Sequence, residues 1–119
     1  MLPSDIGQLL SYSRAGEIPK DVRDAIGKAI EMKQGVLDVE QQMTARSQEI
    51  NEITGEQTRI RENMKTVSPS TSYYSRLLAK LNDQESTIER LQTERAALVT
   101  KRDGLRKDLE AYLQGLSVG

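Results

Sequence analysis

Apolar positions recur every seven residues along most of the chain, in two long blocks separated by one breaker segment. In the first block one column reads Val22, Ala29, Val36, Met43, Ile50, Gln57, Met64. Its companion reads Ala25, Met32, Val39, Arg46, Ile53, Ile60, Val67. The second block gives Tyr74, Leu81, Ile88, Arg95, Arg102, Leu109, Leu116 beside Leu77, Gln84, Leu91, Leu98, Leu105, Tyr112. Two columns three residues apart, repeated over many heptads, are the seam of a coiled coil. The pattern predicts two helices, each on the order of 70 Å long at 1.5 Å per residue.

The punctuation sets the expected boundaries. Ser68-Pro69-Ser70-Thr71-Ser72 is the concentrated breaker after residue 19. Its serines can cap the following helix, while Pro69 ends the preceding one near Val67. Pro19 suits the first turn of the first long helix, where a missing N–H costs nothing. Upstream, Ser4 can cap a short helix over residues 5–14 that closes at Gly16. The reading is therefore a short amino-terminal helix and connector over 1–18, a first hairpin helix over 19–67 and a turn over 68–72. A second hairpin helix over 73–116 and a tail over 117–119 complete the chain.

A turn this short folds the second helix back antiparallel, giving an all-α, long antiparallel coiled-coil helical hairpin with the short helix packed at its open end. Pairing residues whose numbers sum to 141 makes the layers complementary. Gln57 then meets Gln84, Ile50 meets Leu91, Val36 meets Leu105, and the small Ala29 faces the large Tyr112. Arg46 faces Arg95, with Glu49 and Glu94 flanking. These arginines and Arg102 interrupt the apolar strip. Their stems can cover the seam while the guanidinium groups reach carboxylates. The polar seam positions (Arg46, Arg95, Arg102, Gln57 and Gln84) also penalise slipped pairings that would bury them without partners.

Apolar residues outside the seam mark candidate contact surfaces. Ile26, Ile30, Leu37 and Leu113 lie near the open end. There they are expected to be covered by Ile6, Leu9 and Leu10 of the amino-terminal segment, or else to form an interface with another subunit. Tyr73 and Tyr74 follow the turn and read chiefly as a packing plug at the tip, with a contact site as the alternative. Leu78 and Val99 leave a sparse second stripe on the second helix that side-by-side association could use.

Composition narrows the function classes. Aromatic residues are 3% and all tyrosine, so no bulky globular core is available, while charged residues reach 29%. With 17 basic against 18 acidic residues the formal net charge is −1, and nucleic acid is a disfavoured partner. The densest basic cluster, Lys101, Arg102, Arg106 and Lys107, is interleaved with Asp103 and Asp108 and reads as a solvated helix face. There is no cysteine and no histidine, and no phosphate-binding glycine loop. The usual metal, nucleophile and general-base constellations are therefore missing. We expect no enzyme, no cofactor and no metal. No apolar run approaches the roughly 20 residues that span a bilayer, and no signal peptide is evident; the compartment stays unassigned.

The stretches "EQTRIRENMKTV" (56–67) and "YYSRLLAKLNDQESTIERLQ" (73–92) resemble a known group of proteins. They look like the carboxy-terminal helical region of large, uncharacterised bacterial proteins with domains of unknown function, of the mucoidy-inhibitor-like type. "GEIPKDVRDAIGKAIEMKQ" and "LEAYLQGLSVG" are similar to the beginning and end of that region. The resemblance implies that residues 1–119 are a module excised from a longer, mostly β-containing protein, although no such preceding domain is present. It carries over no catalytic residue. The expected role is a spacer, docking arm or oligomerisation element with protein partners, homodimer included. A chaperone-like or regulatory client-binding hairpin is the alternative, and nucleic-acid binding through Lys101 to Lys107 a weaker one.

Overall fold

A computed structural model describes residues 19–118, and among them the chain is two long α-helices with no strand. Helix α1 spans Lys20–Met64 and helix α2 spans Ser72–Val118. The expected short helix, with Ser4, Ile6, Leu9, Leu10 and Gly16, lies outside the described residues. The two helices run antiparallel and build two compact units. One joins the residues up to Glu40 with those from Thr100 onward; the other comprises Gln41–Val99.

Helix α1 starts just after Pro19, whose carbonyl accepts the Arg23 N–H at 3.0 Å. The proline therefore stands at the cap rather than in the first turn. α1 stops at Met64, three residues short of the expected Val67. There the carbonyls are drawn into tighter bonds. Lys65 N–H is shared between Arg61 and Glu62, Thr66 N–H reaches Asn63, and Val67 N–H reaches Met64. Such 3₁₀-type closure satisfies groups that a helix end leaves without partners.

The cap of α2 is Thr71, not one of the serines. Its Oγ1 accepts the Tyr74 N–H at 3.2 Å and donates to the Ser68 carbonyl at 2.8 Å. Thr71 N–H reaches the same carbonyl at 3.1 Å. The helix consequently begins at Ser72, one residue earlier than expected, and it continues through residues 117 and 118, which were expected to be tail.

The core is a strip. In the unit containing the open end, Ile26, Ala29, Val36, Val39 and Leu109 are buried; in the other unit, Met43, Gln57, Ile60, Leu81 and Leu91 are. All but Ile26 belong to the heptad columns. Ile26, expected beside or outside the main seam, is 3% exposed; the residues expected to cover it, Ile6, Leu9 and Leu10, lie outside the described residues. The column of Ile26, Lys33, Glu40 and Ser47 is buried or half-buried, whereas its continuation at Thr54 and Arg61 is exposed. At the other extreme Val22 and Leu116, both in seam columns, are 40% and 38% exposed because the strip runs out at the helix ends.

Candidate interaction site

In the unit Gln41–Val99 the seam carries two polar layers. At the first, Arg46 Nε donates to Glu94 Oε1 at 2.8 Å and its guanidinium lies 3.7 Å from Glu49. Arg95 Nε donates instead to Ser47 Oγ at 2.7 Å, a partner the heptad pattern did not single out. Glu94 also accepts from Arg90 at 2.7 Å. The Arg90 hydrogen bond first, and Arg46 with it, hold the Glu94 carboxyl below its ordinary range against partial desolvation. Both arginines are half-buried, with aliphatic stems along the seam and charged ends at its edge.

At the second layer Gln57 is buried, 3% exposed, and its Nε2 donates to Glu85 Oε1 at 3.0 Å. Gln84, expected opposite Gln57, is half-buried, and its Oε1 is a buried acceptor with no hydrogen-bond partner among the described residues. Nearby, Lys80 reaches Glu56 at 2.6 Å, and this contact draws the Glu56 carboxyl below its usual range.

In the other unit Glu40 receives Arg106 at 2.6 Å and Arg102 at 3.7 Å, and Arg102 also bonds Asp103 at 2.9 Å. Tyr112 crosses to α1, where its hydroxyl donates to the Ala25 carbonyl at 3.4 Å and its ring lies 4.9 Å from Lys28 Nζ. The cross-helix ties Arg46–Glu94, Ser47–Arg95, Gln57–Glu85 and Glu40–Arg102 each fall within one of the pairing whose numbers sum to 141.

The apolar candidates separate. Ile26 is removed from the surface set by its burial, while Ile30 and Leu113 are half-buried and Leu37 is 40% exposed. Next to the turn, Tyr74 is half-buried and lines a groove of about 270 Å³ with Arg61, Met64, Lys65 and Leu81. Tyr73 is exposed and carries the Arg76 guanidinium over its ring at 5.6 Å. Tyr74 thus fits the packing role and Tyr73 does not. Leu78 is the most open of the large apolar side chains among the described residues, at 46%. No described helix is long and apolar enough to cross a membrane. No protein-family model, curated protein or solved structure matches this chain.

Proposed function

We propose that the chain is a non-enzymatic structural and protein-interaction module, a coiled-coil spacer, docking arm or oligomerisation element belonging to a larger bacterial protein. One observation carries this reading. The buried side chains lie in the strip between two antiparallel helices, while Leu37, Tyr73 and Leu78 remain exposed. A two-helix scaffold that spends its apolar residues on one narrow seam suits a spacer or docking arm. The parent family rests on the resemblance of residues 56–67 and 73–92, with the beginning and end of the chain, and on nothing else.

A client-gripping hairpin competes with this reading, because the same exposed residues could hold unfolded chains. Binding of nucleic acid at Lys101 to Lys107 is weakened by the commitments of that cluster, since Arg102 and Arg106 are engaged by Glu40 and Asp103. The full chain should be tested by light scattering across concentration, by its effect on the aggregation of reduced insulin, and by gel shift with DNA at low salt. A module of the proposed kind leaves insulin aggregation and DNA mobility unchanged. Suppression of aggregation at substoichiometric amounts would hand the assignment to the client-binding reading. A salt-sensitive DNA shift abolished by Lys101→Glu/Lys107→Glu would hand it to nucleic-acid binding.

A further inference from the structure

Charge is distributed unevenly along the chain. Residues 59–80, which bracket the turn, hold Arg59, Arg61, Lys65, Arg76 and Lys80 against the single carboxylate of Glu62, a net +4 on a chain whose total is −1. Lys65 is 3.0 Å from Glu62, Lys80 is 2.6 Å from Glu56, and Arg61 lies 3.7 Å from Glu85, an exposed and loose pair. Counting Glu56 and Glu85, which stand just outside the stretch, leaves an excess of +2 around the turn. Arg59 acts on Glu56, and the Arg76 guanidinium lies over the Tyr73 ring.

Within this cationic region lies the groove floored by Met64, Tyr74 and Leu81 and rimmed by Arg61 and Lys65. Leu78, four residues after Tyr74 and three before Leu81, shares their helix face and is 46% exposed. The groove is a shallow depression of about 270 Å³, open to solvent.

We infer that this groove is a docking site for an acidic protein segment, whose apolar anchor enters between Met64, Tyr74 and Leu81 while its carboxylates meet Arg61 and Lys65. The inference rests on the reading of the chain as a protein-interaction module and gives it a location and a partner chemistry. A polyanion without apolar groups would leave Leu78 and the groove floor unused. Nucleic acid would also want open stacking faces. Here Tyr74 is half-buried in the groove wall and Arg76 occupies one face of Tyr73.

The experiment titrates the full chain into a labelled peptide of glutamates flanking two leucines, followed by fluorescence anisotropy. Binding should weaken about tenfold or more in Arg61→Glu/Lys65→Glu and by a similar factor in Leu78→Ser. It should be unchanged in Lys101→Glu/Lys107→Glu. Circular dichroism establishes that each variant is folded, and Arg61→Gln/Lys65→Gln, which adds no repulsion, should give an intermediate loss. Absence of binding by the unaltered chain would overturn the inference, as would equal binding by the Arg61→Glu/Lys65→Glu variant. So would equal binding of a leucine-free glutamate peptide or of single-stranded DNA at the same residues, since either makes the region a general polyanion surface. Apart from the single-stranded DNA result, these outcomes are separate from the insulin and DNA-mobility tests of the module reading itself.

Discussion

Arg46 and Glu94 meet across the two helices at 2.8 Å, in a layer where Arg95 is carried by Ser47 rather than by a carboxylate. Two guanidinium groups thus occupy neighbouring seam positions without facing each other unpaired. Each is half-exposed, so solvent screens the ion pair and limits what it contributes. Replacing both with leucine, Arg46→Leu/Arg95→Leu, exchanges this layer for apolar contact. The thermal midpoint should rise by about 4 °C, equivalent to about 1 kcal/mol, when followed by circular dichroism. A large fall would show that the charged layer holds the helices together.

The Glu94 carboxyl is held below its ordinary 4.5 by Arg90 first and Arg46 next. A carboxylate with a lowered folded-state pKa adds stability above its unfolded value, and that contribution disappears as pH falls through the folded one. The melting temperature should therefore fall on acidification below about 4.5, and Glu94→Gln should flatten that part of the profile. Glu56, drawn down by Lys80, behaves with the same sign. A melting temperature that rises over this acid range would contradict both assignments.

Glycines inside the helices are open to improvement. A Cβ added at Gly55 or Gly104 meets nothing within 4 Å, and glycine in a helix interior costs about 0.5–1 kcal/mol relative to alanine. Gly55→Ala and Gly104→Ala should each raise stability by that amount in urea titrations. Being far apart, they should add in the double variant. A loss on either substitution would mean that the local backbone is not the helix described.

Gln84 holds a buried oxygen with no donor among the described residues. An unsatisfied buried acceptor costs about 1–3 kcal/mol, and leucine at the same place removes that cost while widening the apolar strip. Gln84→Leu is expected to stabilise by about 1 kcal/mol. Gln57→Leu, which strips Glu85 of its 3.0 Å hydrogen bond, should gain less. The opposite ranking would mean that Gln84 Oε1 has a donor in solution.

Leu91 and Leu78 separate the strip from the open face. Leu91 is 1% exposed and Leu78 is 46% exposed. Leu91→Ala should cost about 2–3 kcal/mol, and Leu78→Ala no more than about 0.5 kcal/mol. Similar losses at the two sites would contradict the burial described for the seam.

The heptad columns made most of this architecture legible, because a seven-residue repeat fixes both the helix type and the face it buries. Val36, Met43, Ile60, Leu81, Leu91 and Leu109 are buried at positions read from spacing alone. Ile26 stands outside the two columns, and its burial near the open end is not readable from their spacing. The Thr71 cap and the early end at Met64 depend on hydrogen bonds among adjacent hydroxyls and carbonyls, which a stretch of serines and threonines leaves degenerate. Ser47 was overlooked as a partner of Arg95 because a hydroxyl carries no charge for pattern reading to match. The groove at Tyr74 was partly foreshadowed by the tyrosine pair. Its cationic rim could be seen only by counting charge around the turn rather than over the whole chain.

The turn closes through hydrogen bonds spanning three residues, from Thr71 to Ser68 and from Tyr74 to Thr71. Beyond it, cross-helix ties join residues progressively farther apart in the chain: 28 at Gln57–Glu85, 48 at Arg46–Glu94, 66 at Glu40–Arg106 and 87 at Ala25–Tyr112. Chain-closure entropy therefore sets an order of assembly. Assembly that starts at Thr71 should give higher φ-values at Ile60 and Leu81 than at Val36 and Leu109. The hydroxyl groups at the bend would then bear on how fast the hairpin forms, and the contacts far from it on how long it lasts.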